Sequence, residues 1–79
     1  MSNTPHEIAE EFPNDAAKIH ALKQSDAHFA RLCEEYHAVN RAIHRAETRV
    51  DVVTEEHEAE LRRQRMKLKD GIAGMLAAA

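Results

Sequence analysis

The amino-acid sequence predicts an all-α protein, a coiled-coil-like antiparallel two-helix hairpin preceded by one or two short helices. Three observations carry this prediction. Apolar residues recur at Phe29, Leu32, Tyr36, Val39, Ile43, Ala46 and Val50, at spacings of 3, 4, 3, 4, 3 and 4. That alternation places all seven on one seam of a slightly underwound helix. Neither Gly nor Pro falls between Ser25 and Gly71. Finally, residues 29–50 and 54–76 form two stretches of 22 and 23 residues, each about 33–35 Å long at ~1.5 Å per residue. Matched helices joined by a short turn lie antiparallel.

The elements follow in order along the chain. Ile8 and Phe12 are four residues apart, so one helical turn puts them on the same face. Pro13 ends that turn, because the residue before a proline is pushed out of the α region. Asn14 is the expected N-cap of a second short helix, with Asp15 in its first turn and Ile19 and Leu22 as its apolar pair. Ser25 or Asp26 recaps the chain for the first long helix, expected over 26–50. His28 is expected to fold back onto the first segment. Val50-Asp51-Val52-Val53 is poor helix-forming sequence, which places a tight connection near 51–53. Thr54 is the next N-cap, followed by Glu55 and Glu56 where the helix dipole favours acids. One uninterrupted helix from 26 to 76 is the alternative.

The second long helix, 54–76, carries a thinner stripe of Leu61, Leu68, Ile72 and Met75, with Arg65 in the slot between Leu61 and Leu68. Gly71 and Gly74 weaken its last turns by ~1 kcal/mol each relative to Ala. The organisation expected is an N-terminal segment, 1–25, and a helical hairpin, 26–79.

Certain residues carry a family resemblance. Leu22-Lys23-Gln24-Ser25-Asp26-Ala27-His28-Phe29-Ala30-Arg31-Leu32, then Tyr36-His37 and Ile43 with Glu47, resemble the first half of the small bacterial YdcH-like family. Arg65-Met66-Lys67-Leu68-Lys69-Asp70-Gly71-Ile72, followed by Met75-Leu76, resembles its second half. The resemblance covers roughly residues 19–76. It implies a helical hairpin with no assigned activity or cofactor.

Composition narrows the function classes. The chain has 79 residues, 11 Lys+Arg against 14 Asp+Glu, and a net charge of −3, so no overall attraction to nucleic acid or anionic lipid is expected. A chain this short buries only about 60% of its unfolded surface and usually needs a staple. A single Cys excludes an internal disulfide and fits a reducing compartment. No apolar run is long enough to span a membrane, and the first residues lack the pattern of a signal peptide. A cytoplasmic protein is expected.

Candidate chemistry is sparse. No two of His6, His20, His28, His37, His44 and His57 stand three or four residues apart, as two metal ligands sharing a helix face require. Cys33 and His37 do, and Glu34 with His37 forms one Glu-x-x-His, but a di-iron bundle needs two such motifs and two further Glu. Cys33 lies beside Leu32 and reads as a packing residue rather than a nucleophile. Asp26 reads as a helix cap. No catalytic residue, metal or cofactor is expected.

Two partner readings remain. A two-helix hairpin has one seam per helix and encloses no core. The first reading is therefore a non-enzymatic protein that assembles with itself or with a protein partner. Its packing and assembly surface would be Phe29, Leu32, Tyr36, Val39, Ile43, Leu61, Leu68 and Ile72. The second is a nucleic-acid accessory protein using Arg62, Arg63, Arg65, Lys67 and Lys69, since local positive charge suffices for phosphate contact. Aromatic residues for base stacking are not interleaved there. Residues 51–60 sum to −5 and residues 61–70 to +4, so Glu58 facing Arg62, Glu56 facing Arg63 and Glu55 across the hairpin are expected to offset the bases.

Overall fold

The computed structural model describes residues 6–48 and 52–79. These form four α-helices and no strand: α1 (Ile8–Glu11), α2 (Ala16–Ser25), α3 (Ala27–Glu47) and α4 (Glu55–Ala78), with one 3₁₀ turn, Pro13–Asp15, between α1 and α2. The longest dimension is 38 Å, close to the ~36 Å that the 24 residues of α4 span at 1.5 Å each. The two long helices therefore set the shape. No described helix is long and apolar enough to cross a membrane.

Local chemistry explains most boundaries. The Asp26 carboxylate accepts hydrogen bonds from the His28 and Phe29 backbone N–H groups at 3.0 and 3.2 Å, satisfying donors that a helix start leaves open. Asp26 is also the C-cap of α2, so a single residue separates the two helices. Ser25 does not cap α3; its hydroxyl donates back to the Ala21 carbonyl at 3.0 Å. Thr54 caps α4 by accepting from the His57 N–H at 3.0 Å, with Glu55, Glu56 and Glu58 in the first turn.

Several expectations are corrected. The helix cap before Ala16 is Asp15, not Asn14, because Pro13 starts a 3₁₀ turn that takes up Asn14. His28 is exposed and does not fold back, since Asp26 holds its N–H at the start of α3 and its side chain points to solvent. The first long helix stops at Glu47 rather than residue 50. The Thr48 hydroxyl donates to the His44 carbonyl at 2.9 Å where the helix ends. Val50 and Asp51 lie outside the described residues, while residues 52–54 are not helical, which removes the single uninterrupted helix. The second runs to Ala78, beyond 76, carrying Gly71 and Gly74 inside it.

α3 packs along α4, with α1 and α2 laid against α3. Cross-helix contacts pair Glu47 with Arg62, Asn40 with Arg65, and Leu32 with Gly71. One apolar cluster unites Ile8, Ile19, Phe29, Cys33, Tyr36, Ile72 and Leu76, with Phe12, Leu22, Leu32, Leu68 and Met75 packed around it. Ile43, Ala46 and Leu61 are buried further along the pair, toward the α3–α4 connection.

Candidate functional site

The buried line of α3 runs through Phe29, Cys33, Tyr36, Asn40 and Ile43, at spacings of 4, 3, 4 and 3. Cys33 and Asn40 occupy the places that the apolar stripe assigned to Leu32 and Val39. The helix is turned so that Cys33 faces inward, because α1 and α2 bring Ile8 and Ile19 to that side. Phe29, Tyr36, Ile43, Leu61 and Ile72 are consequently buried within the chain itself. They are packing residues and present nothing to a partner. Leu32, Val39 and Leu68 remain half-buried.

Val39 and Leu68 line a groove of about 390 Å³ between α3 and α4, together with Ala38 and the side chains of Glu35, Gln64 and Lys67. Its lining is mostly apolar and its rim is charged. Glu35 belongs to α3 and Lys67 to α4, and among the described residues neither makes a salt bridge. Sequence spacing identifies both residues, but not that Val39 is turned off the buried line of α3 while Leu68 also packs against the core cluster.

Next to Val39, a polar layer interrupts the apolar interior of the described residues at Asn40. Asn40 is 1% exposed, and its Oδ1 accepts from Arg65 Nη1 at 2.9 Å. Arg65 thus fills the gap in the α4 stripe with a guanidinium aimed at α3. A buried amide is costly unless hydrogen-bonded, and no buried side-chain polar atom lacks a partner among the described residues. Reading for apolar periodicity passed over Asn40; its position four residues after Tyr36 was the available signal.

The N-terminal segment is tied down by polar contacts, most of them to residues of α3 and α4. The Tyr36 hydroxyl donates to the His6 carbonyl at 2.6 Å. His37 Nδ1 pairs with Glu7 at 2.7 Å. Glu11 receives His6 Nδ1 at 2.8 Å and Lys69 Nζ at 3.3 Å. The hydrogen bond from His6, with Lys69 behind it, holds the Glu11 carboxyl below the usual carboxylate range. Farther along, Lys18 Nζ donates to the Leu76 carbonyl at 3.2 Å, joining α2 to the end of α4.

These ties settle where the candidate ligands point. His37 turns to Glu7, while Glu34 is exposed. Burial pushes the Cys33 thiol up, with Lys23 only partly offsetting it, so the sulfur stays protonated and poorly nucleophilic. Among the described residues no three His, Cys, Asp or Glu converge on a point that would hold a metal ion.

The basic stretch is divided rather than gathered. Arg62 bridges Glu58 at 3.2 Å and Glu47 of α3 at 2.9 Å. Arg63 pairs with Glu60 at 2.6 Å, not with Glu56, because three residues along a helix bring two side chains together and seven residues demand more reach. Glu47 supplies the contact across the helix pair expected of Glu55. Arg65 points to Asn40 and Lys69 to Glu11. Among the described residues, Lys67 at the groove makes no salt bridge, and Arg65 bonds to the neutral Asn40 amide instead of a carboxylate.

A family model described as a protein of unknown function, DUF465, matches residues 29–76, which is 48 of the 79 residues and agrees with the YdcH-like resemblance. No curated protein and no solved structure matches the chain.

Proposed function

We propose that this chain, which belongs to the DUF465 family, is a non-enzymatic antiparallel helical-hairpin protein that works by protein–protein association through the α3–α4 groove. The cross-helix register supports the hairpin: residue numbers rise from Leu32 through Asn40 to Glu47 as those of their partners fall from Gly71 through Arg65 to Arg62. The observation that carries the function is the half-buried Val39 and Leu68 in a mostly apolar groove, left after Phe29, Tyr36, Ile43, Leu61 and Ile72 are buried within the chain. A buried and protonated Cys33 supports a role without nucleophilic chemistry. The proposed setting is cytoplasmic; no helix among the described residues is long and apolar enough to cross a membrane.

The test is a photo-crosslinking side chain placed in cells at exposed Ala38, with exposed Ala21 on α2 as the control position. Protein adducts at 38 that are missing at 21 are expected. Equal yields, or none at 38, would sink the reading.

The competing nucleic-acid reading draws less support, since the carboxylates beside Arg62, Arg63 and Lys69 reduce the charge open to phosphate. Its signature would be binding that falls steeply with salt and disappears on changing Arg62, Arg63 and Arg65 to Gln.

A further inference from the structure

We infer that the occupant of the α3–α4 groove is a second copy of this chain, docked about a twofold axis running along the groove to give a four-helix bundle. The inference rests on the association reading above and names its partner. The charge at the rim carries it. Glu35 stands on the α3 side and Lys67 on the α4 side, and both are without salt bridges among the described residues.

A twofold axis along the groove lays α3 of one copy over α4 of the other. The observed register, Leu32 beside Gly71 and Asn40 beside Arg65, puts Glu35 and Lys67 within about two residues of the same level, ~3 Å along the axis. The same rotation brings Val39 to the level of the second copy's Leu68 with a similar offset. Each apolar residue then meets an apolar residue and each charge its opposite, twice by symmetry. An axis across the helices would instead lay α3 on α3 and oppose like groups. Isologous contact is self-complementary by nature, and this surface meets that condition with the residues it already presents.

The experiment is light scattering of the full chain over a concentration series, with Glu35→Lys, Lys67→Glu and the double reversal. The expected mass is twice the 8.9 kDa of the chain. Each single reversal is expected to weaken the dimer roughly tenfold, because two symmetric attractions become repulsions, and the double reversal to restore it. Val39→Asp is expected to give a monomer with unchanged helicity, since Val39 is not part of the buried line. A monomer at every concentration overturns the inference, as does a dimer indifferent to Val39→Asp or a double reversal no tighter than the singles. A monomer whose residue 38 still crosslinks to another protein leaves the association reading standing and removes only the second copy. Loss of the adducts at 38 removes both.

Discussion

The two ends of the α3–α4 pair are closed by different means. At one end α1 and α2 cover Phe29, Cys33, Tyr36, Ile72 and Leu76 with Ile8 and Ile19. At the other, Ile43 and Ala46 of α3 and Leu61 of α4 are buried outside that cluster, beside a cleft lined by Ala46, Val53, Glu47, Glu58 and Arg62. Val52, 97% exposed, sits at its edge. The capped end draws its strength from the apolar surface of four elements. The connection end relies on two helices and an exposed ion-pair bridge through Arg62, which contributes little and is screened by salt. A small chain concentrates its burial where a third layer is available.

The largest test of that difference is Phe29→Ala. A fully buried Phe removed from a core costs about 3–5 kcal/mol, comparable to the whole stability of a small domain. Loss of a cooperative denaturant transition by circular dichroism is expected. Ile43→Ala at the other end should leave a measurable transition with a lower midpoint. If Ile43→Ala unfolds the chain as completely, the ends are not distinct.

The boundary between the two ends is tested next. Arg65→Leu withdraws the donor from buried Asn40 Oδ1, a loss of about 1.5–3 kcal/mol for a hydrogen bond from a charged group. Adding Asn40→Leu should recover most of it, because replacing both partners with apolar groups leaves no buried amide to satisfy. A double variant as unstable as the single would show that the pair does more than satisfy itself.

The covering layer is probed more gently by Tyr36→Phe. It keeps the ring in the core and deletes the hydrogen bond to the His6 carbonyl. A loss of about 0.5–1.5 kcal/mol is expected, with faster proteolysis in the segment before Pro13 and none near the connection.

The smallest effect is a pH dependence confined to α1. The Glu11 carboxyl is held low by His6 and then by Lys69. Its contribution is therefore complete above the ordinary carboxylate value of about 4.3 and disappears as pH falls through the lowered value in the folded chain. Amide exchange in α1 should accelerate on acidification through that window while the α3–α4 pair stays protected, and Glu11→Gln should flatten the response. Acceleration over the whole molecule at once would mean that α1 does not open separately.

Much of the fold is legible in the sequence because local chemistry dictates it. Asp26 and Thr54 announce helix starts through their own side chains, and Pro13 ends α1 without help from elsewhere. Phe29, Tyr36 and Ile43 stand out because large apolar residues at helical spacing have little alternative to burial. The rotation of α3 was not legible. Leu32 and Val39 outrank Cys33 and Asn40 on any apolar scale, and only the docking of Ile8 and Ile19 from another part of the chain turns the small thiol and the amide inward. For the same reason the candidate surface is half legible: the stripes include Val39 and Leu68, but alongside Phe29, Tyr36, Ile43, Leu61 and Ile72, which are interior. Tyr36 with His6 and Asn40 with Arg65 are 30 and 25 residues apart, and no local pattern announces partners at such distances.

The Asn40–Arg65 layer also limits how this architecture changes length. A helix pair with a purely apolar seam tolerates insertion of a heptad in each helix wherever it falls, since one Leu-rich layer substitutes for the next. Here a heptad added to α3 after Asn40 must be matched by one added to α4 before Arg65, or the amide meets a leucine and the guanidinium faces an apolar wall. Longer or shorter descendants of this chain are thus constrained to gain and lose residues in matched pairs on the same side of that layer, as a ruler with one fixed mark permits extension only outward from it.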